Sequence, residues 1–485
     1  MLTAQDVAVL DANAEALGVP RKQLMESSGN AVARVVRDLV DPGAEVAIVA
    51  GRGNNGGDAL VAARFLDDCE TTVHLLGRAS AIGTDIAREN WDALVAADYD
   101  AREVTDSTDL DFGSPDLVVD AMLGTGVAGD LREPAATAAE RMAASDATVL
   151  SVDVPSGVDP DGEASAANAV TADHVVTFHE TKQGLEAVAA EVRVEPIGIP
   201  AAAETFVGPG DLLRLGRDST SHKGDHGEVL IVGGGPYTGA PALSARAALR
   251  AGADLVRVAC PSPVAREMQG YSENLIVRPF DGDHLGPGHV DAVGDLAAQH
   301  DTLVLGPGLG DADETLDAVR QLLSGFEGTA VVDADALQVV PEVMTDATLL
   351  CTPHQGELRK MGGETADDPA ERATLVAEFA GDLGHTLLVK GAQDVISDGE
   401  RTRRNRTGNP GMTVGGTGDV LAGACGALAS ALDAHDAACI AAFANGRAGD
   451  IAVEEQGYGL VATDLVDTLP RALRRPDEDI AGGGS

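Results

Sequence analysis

The chain runs to 485 residues, 44% of them hydrophobic, so one ordinary core cannot hold it and two or three domains are expected. Its 78 acidic residues against 34 basic ones give a net charge of −44. That balance excludes a broad basic face for nucleic acid, and no uninterrupted apolar run reaches the ~18 residues of a membrane span.

The lysines are only Lys22, Lys182, Lys223, Lys360 and Lys390. A surface this acidic repels itself until ~1 M salt shortens the Debye length to ~3 Å, and the composition resembles that of cytosolic halophile proteins. Cys69, Cys260, Cys351, Cys425 and Cys439 form no CxxC pair. This argues against a disulfide framework or a zinc site and for a reducing cytoplasm. The N-terminal twenty residues have neither a basic start nor a long apolar core, so no signal peptide is expected.

In chain order, apolar runs predict strands at 45–50, 72–76, 116–121, 148–153 and 174–178, then at 228–233, 254–259, 302–306, 329–333, 347–352 and 386–390. Glycine turns and helix-length stretches between them indicate an α/β class with parallel sheets. The apolar rhythm lapses between Pro209 and Gly227. This sets a boundary near residue 215 and domains at 1–214 and 215–473. The last segment, 474–485, reads as a disordered tail.

In the first half, GRGNNGGDAL follows the strand 45–50. It predicts a helix beginning at Asp58, with Gly56 and Gly57 before it letting backbone approach a ligand. VVDAMLGTGVAGD, 118–130, ends a strand on Asp120 and enters a glycine loop. SVDVPSGVD, 151–159, places Asp153 at a strand end and Ser156 in the next turn. Ligands of open α/β sheets bind outside the carboxyl ends of strands, so the three segments converge on one crevice. Asn55, Asp120 and Ser156 offer hard oxygens with one carboxylate, which suits a weakly charged cation. Capping of turns is the other role open to these residue types.

These motifs, with LMESSG at 24–29 and FHETKQGL at 178–185, resemble the NAD(P)H-hydrate epimerase domain of the bifunctional NAD(P)H-hydrate repair enzymes. The resemblance implies a Rossmann-like three-layer α/β/α domain. It implies substrate contacts at Asn54, Asn55, Gly56, Gly57 and Asp58, at Gly124, Thr125, Gly126, Val127, Ala128, Gly129 and Asp130, and at Asp153. It also implies potassium on Asn55, Asp120 and Ser156. Epimerisation needs proton transfer at a reactive carbon beside the ring nitrogen, and Asp153 is the candidate acid and base.

In the second half, GGTGDVLAG at 415–423 is the strongest signal. A glycine loop enters a small-residue helix whose first N–H groups make an anion hole, with Asp419 placed as a general base or as an ordinary helix N-terminal acid. Lys390, beside Gly391 and Asp394, reads as a nucleotide edge. With HKGDHG, YTGAP, GPGLG, VVDADAL, TPHQGE, KGAQD and GNPGM in order, 221–465 resembles the ADP-dependent NAD(P)H-hydrate dehydratases. That implies a ribokinase-like domain with substrate contacts at Ala240, Gly308, His354 and Asp419. The nucleotide is expected at Lys390, Gly391, Ala392, Gln393, Asp394 and Gly418.

The function expected on this resemblance is repair of hydrated NADH and NADPH. R and S epimers interconvert in the first domain, and the second dehydrates the S epimer with ADP as co-substrate and Mg2+ beside it. Asp153 and Asp419 are the catalytic candidates, and a cytoplasmic homo-oligomer without nucleic acid or membrane is expected. A vitamin-precursor kinase of ribokinase type fused to a nucleotide-binding module is the enzymatic alternative. A non-enzymatic scaffold in RNA metabolism is the other; the intact Asp58, Asp120 and Asp153 disfavour it.

Overall fold

The computed structural model describes residues 1–124, 129–162, 165–217 and 220–476. The chain divides into two units, Met1–Ala201 and the part from Ala202 onward.

The first unit is built on β1 (Glu45–Ala50), β2 (Glu70–Leu76), β3 (Ala101–Val104), β4 (Leu117–Ala121), β5 (Thr148–Val152), β6 (His174–Phe178) and β7 (Glu191–Glu195). Their order is β3-β2-β1-β4-β5-β6-β7, and every pairing is parallel. Helices cover both faces, so the inner strands must be apolar on both sides. All five residues of β4 are buried, as are five of the six in β1. The chain reverses direction of travel across the sheet between β1 and β4, which opens a crevice at their carboxyl ends.

The second unit carries β8 (Glu228–Val232), β9 (Leu255–Pro261), β10 (Ile276–Phe280), β11 (Thr302–Leu305), β12 (Thr329–Val332), β13 (Thr348–Cys351), β14 (Thr386–Val389), β15 (Asp394–Ser397) and β16 (Thr402–Asn405). They run β10-β9-β8-β11-β12-β13-β14-β15-β16. The pairings β14–β15 and β15–β16 are antiparallel and the others parallel. With few aromatics available, small residues let helices approach closely. A Cβ on Gly423 of the helix Thr417–Leu428 would stand 2.0 Å from the Ser244 carbonyl oxygen of the helix Gly239–Arg250. Ser244 Oγ donates to the Asp419 carbonyl at 2.8 Å across the same contact.

All eleven expected strands are present. β3, β7, β10, β15 and β16 had not been anticipated. β3, β7, β10 and β16 edge their sheets or lie one ladder from solvent, and their mixed sequences AREV, EVRVE, IVRPF and TRRN carry little apolar signal.

The boundary near 215 is corrected to 201/202. Leu212 is fully buried in the second unit's core, Val207 N donates to the Arg404 carbonyl, and Asp211 pairs with Arg403 at 3.2 Å. The segment 202–214 therefore covers the edge strand β16 and is no linker. Residues 477–485 of the expected tail lie outside the described residues. The part from 474 to 476 is tied down, with Arg475 donating to the Leu215 carbonyl at 2.9 Å. No helix among the described residues is long and apolar enough to cross a membrane. All five cysteines are free.

Candidate active sites

Each sheet presents one strand-end site. In the first unit the helix Asn54–Phe65 begins directly after β1, with Gly53 as N-cap and no side-chain cap. It starts four residues before Asp58, so the expected start at Asp58 is corrected. Gly56 and Gly57 are inside the first turns, and their role changes with that. A Cβ on Gly56 would stand 2.1 Å from the Gly51 carbonyl oxygen, and one on Gly57 2.7 Å from Met25 Cε. They admit the protein's own backbone and core. The uncapped N–H groups and Asn54, Asn55 and Asp58 face the ligand space instead.

A cavity of about 1070 Å³ lies at this end of the sheet. Asn54, Asn55, Asp58, Gly124, Gly129, Asp130 and Asp153 line it. Thr125, Gly126, Val127 and Ala128 lie outside the described residues. Asp120 and Ser156 sit beneath the floor, both with no solvent exposure. Asp120 accepts from Ser156 Oγ at 2.6 Å, Ser156 N at 2.9 Å and Ser151 Oγ at 2.8 Å. Burial still raises its carboxyl above the ordinary range despite these bonds. Asn55 Nδ2 donates to the Leu123 carbonyl at 2.8 Å, and Leu123 N donates to Ser156 Oγ at 3.0 Å. Asn55 Oδ1 is buried with no hydrogen-bond partner among the described residues. An orphaned amide oxygen, a buried carboxylate and a hydroxyl are hard oxygens that could hold a monovalent cation.

Asp153 follows β5 with φ 66°, a left-handed conformation that is costly for a residue with a side chain and that recurs at functional positions. Its carboxylate accepts from Lys182 Nζ at 2.7 Å and from Thr177 Oγ1 at 3.2 Å. Lys182 and Asp11, both on the cavity wall, were absent from the expected site. Asp11 comes from the N-terminal helix Ala4–Ala16. Burial pushes its carboxyl up to about 6, with Arg21 opposing and Asp153 adding to the rise. Burial and the charges of Asp153 and Asp11 push Asp58 well above its ordinary range.

In the second unit the site gathers at the carboxyl ends of β8 and β11–β14. Asp333, at the end of β12, is buried and accepts from Lys390 Nζ at 2.9 Å and Thr352 Oγ1 at 2.8 Å. Glu357 stands 3.9 Å from the same ammonium. A Cβ on Gly418 would lie 3.3 Å from Lys390 Nζ. Lys390 is thus directed under the N-terminus of the helix Thr417–Leu428. Asp419 is in that helix's first turn, and burial together with Asp333 pushes its carboxyl up to about 7, with Lys390 opposing. The loop after Lys390 is closed by Gly391 N donating to Asp394 Oδ1 at 2.9 Å and Asn405 Nδ2 to Asp394 Oδ2 at 3.0 Å. The Gln393 carbonyl accepts from Arg372 at 3.3 Å, and Ala392 is exposed beside it. His354 caps the helix Gln355–Lys360 through Nδ1, accepting from Gly356 N and Glu357 N, while its side chain remains 59% exposed and open to a ligand. Ala240 is in the first turn of Gly239–Arg250. Gly308 has φ 72° and passes close to the Tyr237 carbonyl.

A family model described as NAD(P)H-hydrate dehydratase matches residues 229–471, and one described as YjeF-related protein N-terminus matches 21–184. The chain is 44% identical to the bifunctional NAD(P)H-hydrate repair enzyme of Methanothermobacter thermautotrophicus, over 96% of this chain and 94% of that protein. It is also 44% identical to the one of Pyrobaculum aerophilum, over 98% of each.

The chain belongs to the bifunctional NAD(P)H-hydrate repair enzyme family.

Among solved structures, the ADP/ATP-dependent NAD(P)H-hydrate dehydratase of Bacillus subtilis, co-crystallised with ATP and Mg2+, is similar to the second unit. The identity is 26% and the TM-score 0.50, over 55% of this chain and 97% of that one. Within this repair-enzyme chain, Asp333 and Glu357 are the members of the second site that sequence reasoning had not assigned. Both stood in quoted motifs, VVDADAL and TPHQGEL. Asp333 carried the same strand-end signal that had marked Asp120 and Asp153. Asp11 had no such signal, since it lies in the N-terminal helix and in none of the quoted motifs.

Proposed function

We propose that this chain repairs hydrated NADH and NADPH, epimerising the R and S forms in the first unit and dehydrating the S form in the second at the expense of ADP. The observation that carries the reading is that one chain carries two sites pairing acids with a lysine, Asp153 with Lys182, and Asp333 with Lys390 beside Asp419. An epimer-specific dehydratase needs a partner that supplies its epimer.

In the second unit, Asp419 takes the proton of the ring hydroxyl as its oxygen attacks the terminal phosphorus of ADP, and AMP leaves. The ring nitrogen's lone pair then expels phosphate, and loss of a ring proton restores the dihydronicotinamide. The N–H groups at the start of Thr417–Leu428 and Lys390 face the charge that develops on phosphate. Asp333 and Glu357 supply the carboxylate oxygens that would hold Mg2+, which neutralises phosphate charge when bound. In the first unit, Asn55, Asp120 and Ser156 would hold K+, which braces the β1 and β4 loops against each other.

The test is repair of R,S-NADH hydrate with ADP, Mg2+ and K+ in high salt. Return of NADH absorbance supports the reading, and no return with ADP or ATP sinks it.

A further inference from the structure

Of the carboxylates lining the cavity of the first unit, Asp11, Asp58 and Asp153 are partly buried while Asp85, Asp130 and Glu133 are exposed, and one buried ammonium, Lys182, stands among them. The ammonium is saturated. It donates to Thr177 Oγ1 at 2.9 Å and the Phe178 carbonyl at 2.8 Å and lies 2.7 Å from Asp153. Its chain segment is fastened by the N-terminus, with Leu2 N donating to the Thr181 carbonyl and Gln183 N to the Leu2 carbonyl. The same N-terminal segment delivers Asp11. Neither Asp11 nor Asp58 has a hydrogen-bonded cation among the described residues.

We propose that the epimerase centre is a two-carboxylate pair, with Asp153 aimed by the positioning residue Lys182 and Asp11 contributed by the N-terminal helix as the second catalytic group. The proposal rests on the epimerase reading above. Interconversion at a carbon bearing a hydroxyl and the ring nitrogen needs a base and an acid together. Asp153 removes the hydroxyl proton, the C–O bond becomes an aldehyde carbonyl, and the C–N bond breaks with its electron pair passing to nitrogen. Asp11 supplies the proton that nitrogen takes up. The aldehyde turns, nitrogen attacks its other face and returns its proton to Asp11, and the oxygen recovers the proton held by Asp153. No other reactant is consumed.

The groups facing Asp11 are Arg21, Glu15, Asp153 and Lys182, with Asp58 beyond. Burial dominates among them and brings Asp11 near 6, where a proton is exchanged readily near neutrality. Asp58, whose carboxyl burial raises above its ordinary range, lines the same cavity.

The experiment follows the R/S ratio of NADH hydrate by separation of the epimers, without ADP, across pH 5.5 to 9 against an enzyme-free control. The full-length wild type is expected to equilibrate the epimers with a rate that falls as pH rises past about 6. Asp11→Asn is expected to lose about 100-fold and to show no such fall. Asp11→Glu keeps the pH limb at an intermediate rate. Lys182→Met loses about 100-fold in kcat with KM little changed, and Lys182→Arg restores most of the rate. A wild-type rate and limb in Asp11→Asn, or a Glu variant no better than Asn, overturns the proposal. Wild type no faster than the control overturns the epimerase reading itself.

Discussion

Ser156 donates its hydroxyl to Asp120 across 2.6 Å, between two side chains that solvent does not reach. Asp120 accepts through both oxygens, from Met122, Ser151 and Ser156, while the buried Asn55 Oδ1 has no partner among the described residues. A buried, orphaned amide oxygen of this kind is where the proposed cation would bind. At equal ionic strength, K+ is expected to raise the melting temperature of the first unit above its value in Na+, by mass action on the folded state. Asn55→Leu abolishes the difference. Ser156→Ala costs about 1–3 kcal/mol, because Asp120 loses a charge-assisted partner in the interior. Calorimetry in matched chloride salts measures all three.

The glycines of the first helix give a paired packing test. Gly56→Ala forces a Cβ to 2.1 Å from backbone and is expected to destabilise by about 3 kcal/mol or more, while Gly53→Ala meets nothing within 4 Å. Gly53→Ala leaves urea midpoints unchanged and Gly56→Ala lowers them. Equal effects would return Gly56 to a ligand-contact role.

Asp419 couples stability to activity. Its folded carboxyl titrates near 7, above the ordinary 3.8, so it stabilises the fold fully only at low pH, and that contribution is lost as pH rises through 7. Asp419→Asn removes a charge that is costly to bury. It is expected to raise the melting temperature at pH 8 and to do so less at pH 5, while S-form repair disappears at both. In wild type, S-form repair falls as pH drops below about 7, because the base must be ionised. A variant that is destabilised at pH 8 contradicts the buried-acid account.

The interior strands were legible because both faces are covered, so β1 after Glu45 and β4 apart from Asp120 are apolar. Edge strands such as β7, EVRVE, were not, since their outer residues answer to solvent. The site divided along similar lines. Asp120, Asp153 and Asp419 stand at strand ends or helix starts, where topology directs side chains to the crevice. Asp11 and Lys182 reach it only through tertiary packing of the N-terminal segment on the chain around 181–183. Gly56 and Gly57 looked like ligand glycines because spacing cannot distinguish a ligand from the protein's own backbone.

The net charge of −44 sets the condition for every measurement. Self-repulsion is expected to lower the melting temperature of both units at ~0.1 M KCl and to be largely screened at ~1 M or above. A melting temperature independent of salt would remove that requirement.

The most direct measurement uses an equal mixture of R- and S-NADH hydrate with ADP, Mg2+ and K+ in high salt, followed to completion by NADH absorbance. Wild type should recover the whole of the hydrate. Asp153→Asn should stall near about half, with rapid use of the S form alone, and Asp419→Asn should recover none. Absence of recovery by wild type with either ADP or ATP, or full rapid recovery by Asp153→Asn, would contradict the account.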